Sequence, residues 1–269
     1  MIAKRMAEAA GYKVCLYEGG SGFPILMIHG IGPGTSIEGN FGPVLEPLAQ
    51  RYRVVGTDLI GFGASERKKE QPFFDIELWV RQGLALIDQM PAGPVGVIGH
   101  SLGGAVAIKI AARSPRVGKV LMSAAGGSRL RANEHVEKFW SPHKTKDSLR
   151  DAMLGMVYDP AGVTDEVLDL RLSMLNQPGY GDFFAAMFGG SKQALIDSAI
   201  ITDAEAAAVK AQVAIVHGRN DLPCPVDETA LRHAAMFPKA DVTLIAECGH
   251  GPPREHPQKW LAAAFGLFG

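Results

Sequence analysis

The stretch Val95–Ala112, which reads VGVIGHSLGGAVAIKIAA, decides the fold. It begins with a short apolar run and ends with a segment whose composition is typical of a helix. Between them, residues 99–103 form a G-x-S-x-G motif, which in a strand–turn–helix context marks a sharp turn above a parallel sheet. Gly99 and Gly103 suit that turn, because a Cβ at either position would collide with neighbouring backbone. The motif therefore predicts that the hydroxyl of Ser101 is exposed and available for chemistry.

Short apolar runs bounded by glycine or proline recur on both sides of this motif. They lie at Pro24–His29, Arg53–Leu59, Val95–Ile98, Lys119–Ser123, Val213–His217 and Val242–Ala246. Such runs are typical of strands that are buried on both faces of a sheet. Helix-length segments such as Asp75–Gln89 and Leu102–Ala112 separate them. This alternation predicts an α/β fold with a mostly parallel, doubly wound sheet that carries helices on both faces.

The alternation stops after Ser123, because no strand-like run occurs from about Arg129 to Asp203. Four helices are predicted in this region, at Thr145–Val157, Thr164–Asn176, Asp182–Phe188 and Ser191–Ile200. The second has Thr164 as its N-cap and two acids in its first turn, where the helix dipole favours negative charge. We therefore predict a core domain of residues 1–128 and 204–269, into which residues 129–203 are inserted as a helical lid.

Composition and charge narrow the classes of partner. The chain has 269 residues, with 27 basic and 28 acidic side chains and a formal net charge of −1. This balance argues against nucleic acid as the main partner and gives no electrostatic reason to bind an anionic membrane. We find neither an 18-residue apolar run nor the apolar core of a signal peptide. The cysteines Cys15, Cys224 and Cys248 imply no disulfide framework, so we expect a cytoplasmic protein.

A serine hydroxyl is a poor nucleophile at neutral pH and needs a base that is itself oriented by an acid. Where the serine lies on a strand–turn–helix motif, the chain order is serine, acid, histidine. Asp221 follows the fifth apolar run and His250 follows the sixth, so both should lie in loops on the same side of the sheet as Ser101. Asp227 is a rival acid and His256 is a rival base. We expect His250 to accept the proton of Ser101 and Asp221 to orient the imidazole.

The negative oxygen of a tetrahedral intermediate needs hydrogen-bond donors. One candidate is the backbone N–H of Leu102, the residue after the nucleophile. The second should come from the loop His29–Gly34, HGIGPG, where we expect the N–H of Ile31 to donate. His29 itself is expected to be a buried structural histidine. The two downstream histidines are six residues apart and bracket two prolines, which does not match a zinc helix, so no metal is expected.

These motifs together resemble those of the α/β-hydrolases, and in particular the meta-cleavage-product hydrolases that cut carbon–carbon bonds in ring-opened aromatic compounds. The loop HGIGPG resembles their oxyanion loop, and Asp58–Glu66, DLIGFGASE, resembles a second family motif. The segment Thr164–Phe188 resembles the family's lid, in which an arginine binds the substrate carboxylate, and Arg171 occupies that position. From its place on the helix alone, Arg171 could either extend to solvent or pair with an anion.

The resemblance covers nearly the whole chain and implies a set of substrate-binding residues. This set is Gly30, Gly32, Asn40, His100 and Arg171, with Asn40 and Arg171 at the carboxylate end. Two positions depart from the family pattern. His100 stands where the family has asparagine, and Gly251 stands where it has an aromatic residue that helps to wall the acyl pocket. We also expect a homodimer or larger homo-oligomer. The resemblance implies that no cofactor is needed, because the enone of the substrate is itself the electron sink.

The implied activity is that of a serine hydrolase that cleaves the C5–C6 bond of a 2-hydroxy-6-oxo-diene acid, a small carboxylate. Either Ser101 or a water activated through His250 would attack the C6 ketone. A carboxylesterase or lactonase with the same triad is the alternative, and it would need no carboxylate-binding arginine. A binding protein without turnover is a third hypothesis, which the complete set of Ser101, Asp221 and His250 disfavours. A haloalkane dehalogenase is disfavoured because the nucleophile is serine rather than aspartate.

Overall fold

A computed structural model describes residues 1–269, and its centre is an eight-stranded sheet. The strands are β1 (Ala3–Ala9), β2 (Tyr12–Gly19), β3 (Pro24–Ile28), β4 (Arg53–Thr57), β5 (Val95–His100), β6 (Val117–Ser123), β7 (Gln212–Gly218) and β8 (Asp241–Ile245). Their spatial order is β1-β2-β4-β3-β5-β6-β7-β8. Strands β3 to β8 pair in parallel, whereas β1 and β2 are antiparallel to their neighbours. The predicted mostly parallel α/β sheet is confirmed.

Helices cover both faces of this sheet. They are α1 (Ile37–Ala49), α2 (Ile76–Gln89), α3 (Leu102–Arg113), α4 (Glu134–Phe139), α5 (Lys146–Leu154), α6 (Asp165–Leu175), α7 (Tyr180–Met187), α8 (Lys192–Ser198), α9 (Asp203–Ala208), α10 (Ala230–Met236), α11 (Pro252–Glu255) and α12 (Pro257–Phe268). One face carries α1 and α12 and the other carries α2 and α3. None of these helices has the length and apolar character that crossing a membrane requires.

The sheet separates two apolar cores because successive side chains of a strand point to opposite faces. In β3, Leu26 and Ile28 belong to the larger core, whereas Ile25 and Met27 belong to the smaller one. All four side chains are fully buried. This explains why the central strands are apolar throughout rather than alternating.

Residues 129–203, which we call the inserted segment, lie between β6 and β7 and contain helices α4 to α8. Thr164 caps α6 as predicted, since its hydroxyl accepts a hydrogen bond from the N–H of Val167. The buried side chains of Leu168 and Phe184 join the larger core, together with residues of the sheet and of α3. The division at residues 128/129 and 203/204 therefore stays a prediction, because one continuous core crosses it.

Candidate active site

Ser101 lies on the sharp turn between β5 and α3. Its φ of 53° is in the left-handed region, which is strained for a residue with a side chain. The flanking glycines allow this turn. A Cβ on Gly99 would lie 2.2 Å from the carbonyl oxygen of Gly103, and a Cβ on Gly103 would lie 2.5 Å from that of His29. The serine is thereby placed at the N-terminus of α3, beyond the carboxyl end of β5.

Two loops bring the predicted acid and base to this serine. His250 follows β8, and its Nε2 lies 2.9 Å from the Oγ of Ser101. Asp221 follows β7, and its Oδ2 lies 2.8 Å from the Nδ1 of His250. Because a carboxylate only accepts hydrogen bonds, Nδ1–H must donate to it, which leaves the lone pair of Nε2 facing the serine hydroxyl. The three predicted residues therefore form one hydrogen-bonded chain.

The charges in this hydrogen-bonded set shift the pKa values of both Asp221 and His250. Burial by itself raises the pKa of Asp221, but the charge of His250 and the hydrogen bonds from His217 and His250 outweigh burial and hold it well below its usual range. Burial lowers the pKa of His250, but the adjacent charge of Asp221 outweighs burial and raises it well above 6.5. Asp221 thus stays ionised and stabilises the protonated imidazole.

A second histidine, which the sequence analysis did not identify, also contacts the acid. The Nε2 of His217 lies 3.1 Å from the Oδ2 of Asp221 and 2.8 Å from the carbonyl oxygen of Cys224. Both neighbours only accept, so Nε2 carries the proton. The other carboxylate oxygen accepts the N–H of Cys224 at 2.8 Å. His217 is at the end of β7, four residues before Asp221, and that short spacing was the available signal.

Two backbone N–H groups beside Ser101 have no acceptor in the protein, those of Ile31 and Leu102. Both residues line the space next to the serine. They are the predicted oxyanion donors. The loop that carries Ile31 is fixed by Gly30, whose N–H donates to Asn40 and whose Cβ, if present, would lie 2.6 Å from that of Ser101. His29 is fully buried and its Nε2 accepts the N–H of Leu59, which makes it structural.

A cavity of about 900 Å³ opens onto Ser101 and His250. A second, smaller recess of about 40 Å³ shares Ser101 and His250 with this cavity. The recess is mainly apolar, with walls that include Leu130, Val136, Trp140 and Ile196. The larger cavity, in contrast, has most of the polar side chains of the site in its wall. The serine hydroxyl thus lies at the junction of a polar space and an apolar space.

Arg171 lies in the polar cavity, on α6, with only 7% of its surface exposed. Its single hydrogen bond within the protein goes to the carbonyl oxygen of Pro33 at 2.7 Å, although a guanidinium has five N–H donors. Burial, and then the charge of Arg254, lower its pKa to about 10, and no acid opposes them. A buried cation without a counter-ion is costly, and an anion in the cavity would offset that cost.

The other predicted substrate residues divide between the cavity and the packing beneath it. The amide NH₂ of Asn40 makes no hydrogen bond in the protein and is free to face the cavity, because its oxygen already accepts from Gly30. The ring of His100 also lines the cavity, and its Nδ1–H donates to the carbonyl oxygen of Ser123 at 3.1 Å. Burial, followed by the charge of His250, lowers the pKa of His100 to about 3, so the ring is neutral.

Three of the candidate residues lie outside the reacting centre: Gly32, the alternative acid Asp227 and the alternative base His256. A Cβ on Gly32 would lie 2.2 Å from the ring of Phe139, so this glycine serves packing of the inserted segment rather than the cavity wall. Asp227 is exposed and makes no hydrogen bond to His250. His256 lies at the cavity rim, where its Nε2–H donates to the carbonyl oxygen of Glu247 at 2.7 Å.

The loop after β8 that carries His250, which we call the histidine loop, is held by contacts that no sequence motif indicated. The N–H of His250 donates to the carbonyl oxygen of Met156 in the inserted segment at 2.8 Å. The carboxylate of Glu255 accepts the N–H groups of Gly249, Gly251 and Tyr158. These bonds fix the loop after β8.

Potential metal ligands coincide with the triad. Ligand-type atoms of Asp221, Cys224 and His250 lie within 4.8 Å of one another. The donor set does not fit a metal as it stands, because the Oδ2 of Asp221 and the Nδ1 of His250 face each other as hydrogen-bond partners at 2.8 Å. The arrangement is that of an acid–base pair rather than of ligands that converge on a common point.

Comparison with known proteins identifies the class. Residues 25–264 match the model of the alpha/beta hydrolase family. The chain therefore belongs to the α/β-hydrolase family, in agreement with the resemblance noted from the sequence. The 2-hydroxymuconate semialdehyde hydrolase of Pseudomonas sp. (strain CF600) is 30% identical over 94% of this chain and 89% of that protein.

Other relatives carry names of the same group. The 2-hydroxy-6-oxo-2,4-heptadienoate hydrolase of Pseudomonas putida is 29% identical over 91% of this chain and 89% of that protein. The solved structure of a meta-cleavage product hydrolase from Pseudomonas fluorescens IP01 superposes with a TM-score of 0.91 at 28% identity, and the match covers 97% of this chain and 96% of that one. Within the α/β-hydrolases, this chain therefore lies among the meta-cleavage product hydrolases.

Proposed function

We propose that the protein is a serine hydrolase that cleaves the C5–C6 bond of a 2-hydroxy-6-oxo-diene acid. One observation carries this proposal. The hydrogen-bonded set of Ser101, His250 and Asp221 opens onto the same cavity as Arg171, a buried cation without a counter-ion. Hydrolysis of a neutral ester does not require that arginine, whereas binding of an acid substrate requires a cationic partner for its carboxylate.

The polar and apolar spaces suggest how the substrate lies. The carboxylate binds the guanidinium of Arg171, and the amide NH₂ of Asn40 donates to the 2-oxygen. The C6 carbonyl then lies at the junction beside Ser101, within reach of the N–H groups of Ile31 and Leu102. The C6 substituent enters the apolar recess.

The reaction then needs no group beyond the chain and water. The bound dienol ketonises as its 2-hydroxyl proton leaves and a proton is added at C5. Ser101 adds to C6 while His250 accepts its proton, and the two backbone donors stabilise the oxyanion. The C5–C6 bond breaks with its electrons passing into the 2-oxo enone, which accepts a proton as the 2-hydroxydienoate. Water hydrolyses the acyl-serine and releases the second acid.

The size of the recess favours a small substituent at C6. Its volume is about 40 Å³, against about 900 Å³ for the cavity. We therefore expect hydrogen or methyl at C6 to suit the recess better than a phenyl ring. Relatives named for the semialdehyde and the heptadienoate point the same way.

A panel of yellow ring-fission dienoates tests the activity. We expect bleaching of substrates with hydrogen or methyl at C6, and a loss of about 10²–10⁶ in turnover for the matched variant Ser101→Ala. Arg171→Gln should lose dienoate turnover while retaining hydrolysis of simple aryl esters. Fast ester hydrolysis without bleaching of any dienoate would contradict the proposal and support a carboxylesterase.

We also propose that the protein acts as a homo-oligomer in the cytoplasm. The edge strand β8 leaves Val242 and Leu244 more than one-third exposed, and an uncovered apolar edge strand favours pairing with a second copy. The three cysteines are free and buried, which suits a reducing compartment. Sedimentation of the purified protein, with Val242→Lys as the comparison, tests the oligomer. A wild-type monomer would refute it.

A further inference from the structure

A second arginine lines the same cavity without an acid partner. Arg254 follows the two prolines that begin α11, and its only hydrogen bond within the protein is a long one, 3.4 Å, to the carbonyl oxygen of Glu38. No carboxylate lies within 4 Å of its guanidinium, and the residue is exposed, whereas Arg171 is buried. Its donors are therefore available to the cavity.

The nearby acids are already engaged. The carboxylate of Glu38 is paired with Lys4 at 2.6 Å, and that of Glu255 accepts backbone N–H groups of the histidine loop. Partial burial lowers the pKa of Arg254 although the charge of Glu38 opposes it, and the charge of Arg254 in turn lowers the pKa of Arg171. The two guanidinium groups thus repel each other within one cavity, and an anion bound by both would offset that repulsion.

We propose that Arg254 is a second anion-binding residue, so that the cavity selects a dianion with both negative groups on the dienoate half. The inference rests on the proposed function for the identity of the ligand. In the diene acid, the two charges would be the C1 carboxylate on Arg171 and the ionised 2-oxygen, which faces Arg254. The free amide NH₂ of Asn40 adds a third donor at this end.

The position of the second charge follows from the shape of the site. The apolar recess that receives the C6 substituent has no cationic side chain in its wall, apart from the catalytic His250. A carboxylate there would lose its hydration without gaining a partner. Both unpaired arginines instead line the larger cavity. A substrate that carries its second acid on the C6 substituent is therefore disfavoured.

Simple anions test this site without any turnover. Calorimetric titrations of the full chain would use acetate, oxalate and malonate, which carry one charge or two charges close together. We expect the better dicarboxylate to bind about tenfold more tightly than acetate, as one additional charge-assisted hydrogen bond requires. Arg254→Gln should remove that preference while changing the affinity for acetate by less than twofold. Arg254→Lys should retain part of the preference. Arg171→Gln should lower the affinity for all three anions.

A matched control is Arg232→Gln, which removes one positive charge from an exposed helix position outside the cavity and should leave every affinity unchanged. Equal binding of acetate and both dicarboxylates to the wild type would overturn the proposal, as would a dicarboxylate preference that survives in Arg254→Gln. Turnover of the dienoate panel tests the proposed function independently of these binding measurements. If no dienoate is bleached but the dicarboxylate preference depends on Arg254, the proposed function fails and the two-arginine site stands.

Discussion

At the scale of single residues, the ionised state of Asp221 controls the reactivity of Ser101. The buried carboxylate accepts hydrogen bonds from His250, His217 and the N–H of Cys224. These donors hold the carboxylate in one orientation, and the carboxylate in turn holds the imidazole of His250 with its proton on Nδ1. Only that tautomer has a lone pair on Nε2 that can accept the serine proton.

Replacing the acid by its amide tests this dependence. In Asp221→Asn, the side chain keeps its shape but can donate to Nδ1, which favours the wrong tautomer of His250. We expect kcat to fall by about 10⁴, as in other serine triads. Steady-state turnover is the measurement, and circular dichroism should show a folded protein. A loss of less than tenfold would mean that Asp221 does not orient the base.

The pH dependence of the reaction follows from the raised pKa of His250. The imidazole must be neutral to accept the proton of Ser101, so activity is present above this pKa and is lost as the pH falls through it. Because the charge of Asp221 raises the pKa, we expect the acid limb of kcat/KM to have its midpoint above pH 6.5. A midpoint below pH 6 in the wild type would be the opposite result. In Asp221→Asn, the limb of the residual activity should move to lower pH.

The triad could be predicted from the sequence because each member follows a strand whose apolar run is easy to recognise. The supporting residues could not. His217 was counted as the last residue of an apolar run, and only the fold shows that its Nε2 reaches Asp221. Arg254 lies in a short helix after two prolines, where no periodicity tells which side chains face the cavity.

At the scale of elements, the turn between β5 and α3 places the nucleophile, and its glycines tolerate no side chain. A Cβ on Gly103 would lie 2.5 Å from the carbonyl oxygen of His29 and 2.7 Å from that of Ile28. These atoms belong to the backbone at the end of β3, which cannot move without shifting the oxyanion loop. Close packing of α3 against β3 is therefore part of the active site.

Alanine substitutions at two helical glycines separate this effect from helix propensity. We expect Gly103→Ala to lower the free energy of unfolding by about 1–3 kcal/mol, as overpacked cores do, and to reduce turnover. Gly266→Ala in α12 is the matched control, because a Cβ there meets nothing within 4 Å. It should raise stability by up to about 1 kcal/mol. Urea unfolding measures both, and a neutral Gly103→Ala would show that the turn can relax.

The wall of the apolar recess controls which acyl groups fit. Leu130, which lies between β6 and α4, contributes to that wall and is 6% exposed. Leu130→Ala should enlarge the recess and raise the ratio of kcat/KM for a phenyl over a methyl substituent at C6 by about tenfold, the scale of a few buried carbons. Leu175→Ala, a buried position on α6 outside the recess, is the control. An unchanged ratio in Leu130→Ala would place the C6 substituent elsewhere.

Two elements were not predicted from the sequence, for physical reasons. The hairpin of β1 and β2 begins at the edge of the sheet, where β1 is largely exposed and its sequence, AKRMAEA, carries no apolar run. Helix α1 contains Pro43 and Pro47, which normally interrupt a helix. It forms because the hydroxyl of Ser36 caps it and its apolar face is buried in the smaller core. Tertiary packing therefore overrides the local signals here.

At the scale of the whole molecule, the inserted segment and the sheet share one core. The ring of Phe74 packs against both Trp79 of α2 and Trp140 of the inserted segment, with centroids 5.3 and 6.1 Å away. The indole N–H of Trp140 also donates to the carbonyl oxygen of Ile31 in the oxyanion loop. The segment over the active site is thus packed as part of the core.

This continuity predicts that the inserted segment does not unfold on its own. The three tryptophans report on different regions, since Trp79 lies on α2, Trp140 in the inserted segment and Trp260 on α12 in the other core. The indole N–H of Trp260 donates to the hydroxyl of Ser123 in β6, which couples that second core to the sheet. We expect all three regions to lose structure in one cooperative transition.

Three variants that each retain a single tryptophan, with phenylalanine at the other two positions, allow the measurement. Fluorescence of each variant during urea unfolding is compared with its own circular dichroism, so that the stability lost by the substitutions cancels. Coincident curves in every variant are expected, because opening the inserted segment alone would expose apolar side chains such as Leu168 and Phe184 together with their partners in the sheet layer. A Trp140 signal that changes at lower urea than the circular dichroism would instead identify the segment as an independent unit, able to open while the sheet beneath it stays folded.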